Sequence, residues 1–225
     1  TIYYKDIPNF VSKSDNDRLI VGKLNNKNLL VLVGKSYLYE GYEPKDITLP
    51  IRVANKLGAK KLILTCDSGS LNRKINIGDF LLVSDQINLS GFNPLTGPNY
   101  DELGTRFPVM FDAYTPAWRN KVKELALKNS IYLYEGVYAG ISGPNFVTRA
   151  ELRYFNQIGA DCVGMSLVQE AIAAAHSNME LLAISAITSS DLPDIENYDE
   201  EDKVIENYKK MSSNFIKLLK IVISE

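Results

Sequence analysis

The sequence is poor in the residues that most often announce a special chemistry. Of 225 residues only two are cysteines, Cys66 and Cys162, and both lie in apolar runs. Two such thiols make no disulfide framework and point to a reducing compartment, the cytoplasm. His176 is the single histidine and no cysteine cluster accompanies it, so no metal site is expected. No apolar run approaches the roughly 20 residues needed to span a bilayer. The opening TIYYKDIPNF lacks the charged start and apolar stretch of a secretory signal. No stretch rich in proline, glycine or serine divides the chain and no repeat recurs, so one domain over 1–225 is expected. The formal net charge is only -2, with both signs scattered and no basic stripe. Neither nucleic acid nor a membrane is expected as a partner, while one or two local cations still suffice for a small anion.

What is present is an alternation of strands and helices. Arg18–Leu24 and Asn28–Val33 flank the turn Asn25-Asn26-Lys27 and read as a hairpin. Ile47, Ile51, Ala54 and Leu57 recur at helical spacing before Gly58. Lys61–Cys66 reads as a buried strand followed by a turn, Asp67-Ser68-Gly69-Ser70, and Phe80–Val83 as another strand. Residues 86–112 show no period, and so long a loop is usually functional or an interface. Pro116 opens a helix with Trp118, Val122 and Leu125 on its apolar face. Ile131–Ser142 is a strand ending at Gly143-Pro144. Thr148 and Glu151 form a capping-box pattern for a helix whose apolar face is Ala150, Leu152, Phe155 and Ile158. Asp161–Gly164, a helix through Val168, Ala171, Ile172 and Ala175, and the strand Leu181–Thr188 follow. The last helix, about Glu201 to Val222, carries Val204, Tyr208, Met211, Phe215, Leu218 and Val222 in steps of three and four. This order predicts an α/β fold, a central mixed β-sheet flanked by helices.

In such sheets ligands bind at the carboxyl ends of strands, which singles out residues 34–42, 66–72, 143–148, 164–167 and 188–191. The first offers Lys35, Ser36, Tyr37, Tyr39 and Tyr42, which either hold a phosphate and a sugar or pack as tyrosines on the core. The second presents backbone N–H groups and hydroxyls, suited to an anion or to nothing. Phe146 either stacks on a flat ring or fills the core. Met165-Ser166 fits a sugar and an anion, though methionine is also a common core filler. Asp191 either hydrogen-bonds or protonates a leaving base, or caps a loop. His176 reads as structural, or as a cation near a helix end.

Five stretches carry a closer resemblance: YEGY at 39–42, GSLN at 69–72, INLSGFNPLTGPN at 87–99, GTRFPVMFDAY at 104–114, and GPNFVTRAELRYFNQIGADCVGMSLVQEAIAAAH at 143–176. They resemble the trimeric purine nucleoside phosphorylases, with some features of the related methylthioadenosine phosphorylases. The resemblance runs from about Ile7 to the final helix. It implies the nucleoside phosphorylase fold and phosphate-dependent cleavage of the N-glycosidic bond of a purine nucleoside. Inorganic phosphate is then the co-substrate, with no other cofactor, and a homotrimer the implied assembly.

Residue by residue, the resemblance places Lys35, Tyr37, Ser68 and Ser166 on the phosphate, with the Asp67-Ser68 backbone contributing. Tyr39, Phe146, Val147, Met165 and Val204 fall on the nucleoside, and Phe107 is lent to a neighbouring subunit's ribose site. Ser189 and Asp191 are the candidate catalytic pair at the base. There are departures. Lys35 and Tyr37 replace the family's Arg and His, Val147 replaces a base-gripping Glu, and Ser189 replaces an Asn. The family's Gly-Ser-Gly-Leu-Gly phosphate loop has no counterpart in these residues, nor has the His that holds the ribose 5′-hydroxyl. Asp191 favours a 6-amino purine, and Val204 with Ile205 a 5′-modified sugar. Two alternatives stay open beside the phosphorylase: a nucleoside-binding homologue without turnover, and a hydrolase.

Overall fold

A computed structural model describes residues 1–196, 198 and 200–224. Three short strands, β1 (Ile2–Tyr3), β2 (Arg18–Leu24) and β3 (Lys27–Val33), form an antiparallel sheet. The β2–β3 turn is the two residues Asn25 and Asn26, at φ 48° and 62°. Asparagine tolerates that left-handed backbone, and two such residues match the strand twist. Lys27 therefore belongs to β3 rather than to the turn.

The second sheet contains β4 (Lys61–Ser70), β5 (Phe80–Asn88), β6 (Leu133–Gly140), β7 (Cys162–Gly164) and β8 (Glu180–Ser190). It closes in the order β4-β7-β6-β5-β8, with β8 returning to β4. The pairs β4–β8, β5–β6 and β6–β7 are parallel, while β4–β7 and β5–β8 are antiparallel. The sheet is thus mixed, as the alternation predicts.

Its strands are covered on both faces. Leu81 and Val83 point into a cluster with Leu181, Ala183 and the helices α1 (Pro44–Lys56) and α4 (Val168–His176). Phe80 and Leu82 point the other way, onto Trp118 and Val122 of α2 (Pro116–Lys128) and Phe215 and Leu218 of α5 (Glu201–Ile223). Phe80 stacks on Phe215 with ring centroids 5.2 Å apart. On a third side α3 (Arg149–Gln157) buries Leu152 and Phe155 against Ala139 and Val163. Its capping box forms as the spacing predicts, with Thr148 accepting from the Glu151 N–H and the Glu151 carboxylate accepting from the Thr148 N–H. Ala150 and Ile158 stay on the exposed side, so the buried face of α3 is narrower than its apolar pattern. No helix among the described residues is long and apolar enough to cross a membrane.

One local reading is corrected. Asp67-Ser68-Gly69-Ser70 is not a turn: β4 runs through it. These residues pair with Ala186–Ser190 of β8, and Gly69 and Ser70 also pair with Val163 and Cys162 of β7. Ladder bonds on both sides satisfy the backbone better than a local turn would. The turn chemistry survives only as a register shift between Ser68 and Gly69.

His176, at the end of α4, is buried and structural. Its Nδ1 meets an Arg52 guanidinium nitrogen at 2.9 Å and its Nε2 meets Asn99 Oδ1 at 3.2 Å. Burial first, then the Arg52 charge, lowers its pKa below the ordinary 6.5, which favours the neutral ring. The unfolded chain takes up a proton near 6.5 that the folded chain refuses. Stability is therefore whole above that pH and declines as pH falls through it. The thermal midpoint is expected to drop between about pH 7.5 and about pH 5.5, and His176→Gln should flatten that drop; equal slopes in the two proteins would refute it.

Candidate active site

Residues 34–42 leave β3 and are held rigidly. Asp17 anchors their start, accepting from Ser12 Oγ at 3.0 Å and from the Lys13 N–H at 3.2 Å. Gly34, at φ 98°, packs so closely on Asp17 that a Cβ has no room. The Glu40 carboxylate accepts from the Tyr37 N–H at 2.9 Å and pairs with Lys13 at 3.1 Å. Tyr37 and Tyr39 stack at 4.9 Å, with their planes 15° apart. These two tyrosines therefore pack on one another rather than on the core.

Lys35 and Tyr37 line a small hollow together with Met165, Ser166, Gln169 and Glu170. Met165 and Ser166 follow β7, and three contacts lock them. Met165 rests on Gly143, whose φ is 69° and whose missing Cβ leaves space for the sulfur. The Ser166 N–H donates to the fully buried Tyr138 hydroxyl at 3.3 Å. Leu167 then turns the chain into α4 at φ 73°, a rare backbone for a branched aliphatic residue. Its completely buried side chain offsets a strain of about 1–3 kcal/mol.

The Lys35 ammonium does not stand alone. It pairs with Glu170 Oε1 at 2.6 Å, and the Glu170 side chain is only 7% exposed. Asp67, open to solvent on one side and crowded on the other, also acts on this region. Desolvation raises its carboxyl pKa, while its own backbone N–H and the Lys35 charge pull the other way. Burial, then the Asp67, Glu170 and Glu40 charges, pushes the Tyr37 phenol well above its ordinary value. Burial and Tyr37 are the leading causes that push Tyr39 up to about 12. Both phenols keep their protons at neutral pH.

The second group gathers where β8 ends. Asp191, 4% exposed, accepts from Ser189 Oγ at 2.9 Å and from the Tyr198 hydroxyl at 3.0 Å. Its backbone N–H donates to the Ser70 carbonyl at 2.8 Å. Phe146 lies 5.4 Å from Tyr198, ring to ring. Val147 lines an adjacent opening with Leu152, Leu192, Ile195 and Tyr198. Met165, seated on Gly143, and the end of β4 join the two groups. Asp67 faces the Lys35 side, and Gly69 touches the Asp191 carboxylate.

Three sequence-picked residues stand apart. The Ser68 hydroxyl is buried and hydrogen-bonds Ser185 at 2.6 Å, and its backbone pairs in the β4–β8 ladder, so Ser68 is not aimed at a ligand. Phe107 is 83% exposed, with the Arg106 guanidinium 5.6 Å from its ring. Val204 is half-buried one turn before Tyr208, whose phenol is raised by burial and then by Asp67. Asn207 holds that end of α5 by donating to the Thr188 carbonyl at 2.8 Å. Tyr198, Gln169, Glu170 and Tyr208 were not picked from sequence. The signal available for Gln169 and Glu170 was the alanine-rich run after them, which marks a helix buried all round.

Gly69 makes the Asp191 position testable. A Cβ there would overlap the carboxylate itself. Gly69→Ala is expected to displace Asp191 and to cost about 1–3 kcal/mol in denaturant unfolding; a variant as stable as the parent would show that the contact is slack.

A profile of the phosphorylase superfamily matches residues 1–224. Purine nucleoside phosphorylase 1 of Geobacillus stearothermophilus is 39% identical over 225 residues, covering 99% of this chain and 82% of that protein. The Mus musculus purine nucleoside phosphorylase is 40% identical over 206 residues, covering 87% and 71%. A crystal structure of a schistosoma purine nucleoside phosphorylase in complex with hypoxanthine superposes with a TM-score of 0.96 at 33% identity, over 100% of this chain and 83% of that one. A second, isoform 2 from Schistosoma mansoni with cytosine and ribose-1-phosphate, gives 0.94 at 34%, over 100% and 82%. With its mixed closed sheet and its strand-end site, this chain belongs to the phosphorylase superfamily and, within it, to the purine nucleoside phosphorylases.

Proposed function

We propose that this chain exchanges the base of a purine nucleoside for inorganic phosphate. The observation that carries the reading is the convergence of Lys35, Tyr37, Met165 and Ser166 on one hollow, with Asp191, Ser189 and Phe146 at the neighbouring strand end. A phosphate oxygen attacks C1′ of the ribose as the C1′–N9 bond breaks, and the bonding pair leaves with the purine. Lys35, Tyr37 and Ser166 are assigned to the phosphate. Tyr39, Met165 and Val204 are assigned to the sugar, and Phe146 and Val147 to the base. Ser189 and Asp191 are assigned to the base at the strand end. No further cofactor enters this scheme.

A 6-amino base fits the groups at the strand end. The Ser189 proton is committed to Asp191, so its lone pairs are left to accept, and Val147 offers no polar atom. The relatives' names support the purine and the reaction, not this preference. We place the enzyme in the cytoplasm on the strength of two buried free cysteines, and burial pushes Cys66 up to about 12. We assign Phe107 to a neighbouring subunit's ribose site in a homotrimer. Its exposure, with Val109 and Phe111 beside it, supports an apolar contact with a second copy.

Base release from adenosine, inosine and methylthioadenosine, each with and without phosphate, tests the reading. Phosphate-dependent release yielding ribose 1-phosphate is expected, with adenine-type substrates ahead; phosphate-independent release, or none, would overturn it. Phe146→Ala should weaken nucleoside binding by about 1–3 kcal/mol, the usual worth of an aromatic stack on a base. Unchanged affinity in calorimetry would remove Phe146 from the site.

A further inference from the structure

Gln169 is 5% exposed on the wall of the Lys35 hollow. Its Nε2 donates to Ser90 Oγ at 3.0 Å, with the Phe92 carbonyl at 3.4 Å. Ser90 Oγ donates in turn to Asn88 Oδ1 at 2.6 Å. That commits the serine proton and fixes which way the Gln169 amide faces. Gln169 Oε1 is then buried with no hydrogen-bond partner among the described residues. A buried carbonyl oxygen in this state calls for a donor. Next to it in sequence, Glu170 already accepts from Lys35. The hollow is therefore lined by one ammonium, by the carboxylate that pairs with it, and by a glutamine whose buried amide oxygen has no donor among the described residues.

We propose that this hollow selects an oxyanion that carries a proton and rejects one that carries none. Monoanionic phosphate fits. Its P–OH donates to Gln169 Oε1, while its unprotonated oxygens face Lys35 and the Ser166 hydroxyl. A fully ionised anion of the same shape, such as sulfate, has only lone pairs to offer. It meets the Gln169 oxygen and the Glu170 carboxylate with no net positive charge to offset them. The proposal rests on the hollow being the nucleophile's site. The attacking oxygen is an unprotonated one, and the proton stays on the oxygen facing Gln169 throughout.

The test is thermal stabilisation of the intact protein by inorganic phosphate and by sulfate at matched ionic strength, each measured against the anion-free sample at the same pH. Phosphate is expected to stabilise, and to do so less as pH rises through its second ionisation. Sulfate is expected to leave the midpoint unmoved. Gln169→Leu should weaken phosphate by at least about tenfold. Glu170→Gln, which frees the Lys35 charge, should admit sulfate. Equal stabilisation by the two anions, or a phosphate effect that does not fall with rising pH, overturns the proposal, and wild-type protein suffices for both measurements. None of these readouts needs turnover. An inactive protein that ranks the anions this way keeps the proposal and loses the reaction. An active enzyme in which sulfate competes with phosphate keeps the reaction and loses the proposal.

Discussion

The parallel ladder between β4 and β8 is the constraint on which the site depends. It runs from Lys61 opposite Glu180 to Ser70 opposite Ser190, and slips by one residue between Ser68 and Gly69. Because strand side chains alternate, the slip decides what each face presents at the end of the ladder. Before it, Cys66 and Ser68 point into the interior and Asp67 points outward to the tyrosines. After it, Gly69 brings bare backbone against Asp191. Apolar clusters hold the sheet on its two faces, with Leu81 and Leu181 in one and Leu82 and Leu182 in the other.

Charge at the site follows from burial more than from composition. A chain with near-equal acids and bases places Lys35, Glu170 and Asp67 within mutual influence at one strand end. Lysine there is a point charge on a flexible stem and does not supply the two-pronged fork of arginine. Glu170 restrains it at the cost of neutralising it. The tyrosines, their phenols kept protonated, add no charge. Selectivity in such a site comes from the match of donors and acceptors rather than from net attraction.

Much of this was legible in the sequence, for identifiable reasons. The Thr148–Glu151 box and the three-four steps of α5 are local signals, and local signals survive folding. Within α5 the periodic face was read slightly too far. Met211, Phe215, Leu218 and Val222 are buried, whereas Tyr208 emerges beside the site. Asp67–Ser70 was misread because turn propensity is local and the two neighbouring strands that override it are not. Gln169 and Glu170 were passed over because polar residues on a helix are ordinarily solvated, and only the packing of α4 on the sheet reveals them as interior. Tyr198 lies in an irregular segment, where its partnership with Asp191 has no periodic trace. Loops that the strand-end rule singled out do come together at one end of the sheet, even where the conformation within them was misjudged.

The contact between Gly69 and Asp191 has a consequence for how such a site can change. A Cβ at position 69 and the carboxylate at 191 would claim one shared volume, so neither position is free to vary by itself. A larger residue at 69 becomes tolerable only after the acid has been shortened or lost, and an acid can be introduced at 191 only where 69 is already bare. The order of substitutions is thereby restricted, and a strand residue and a loop residue behave as a single heritable unit.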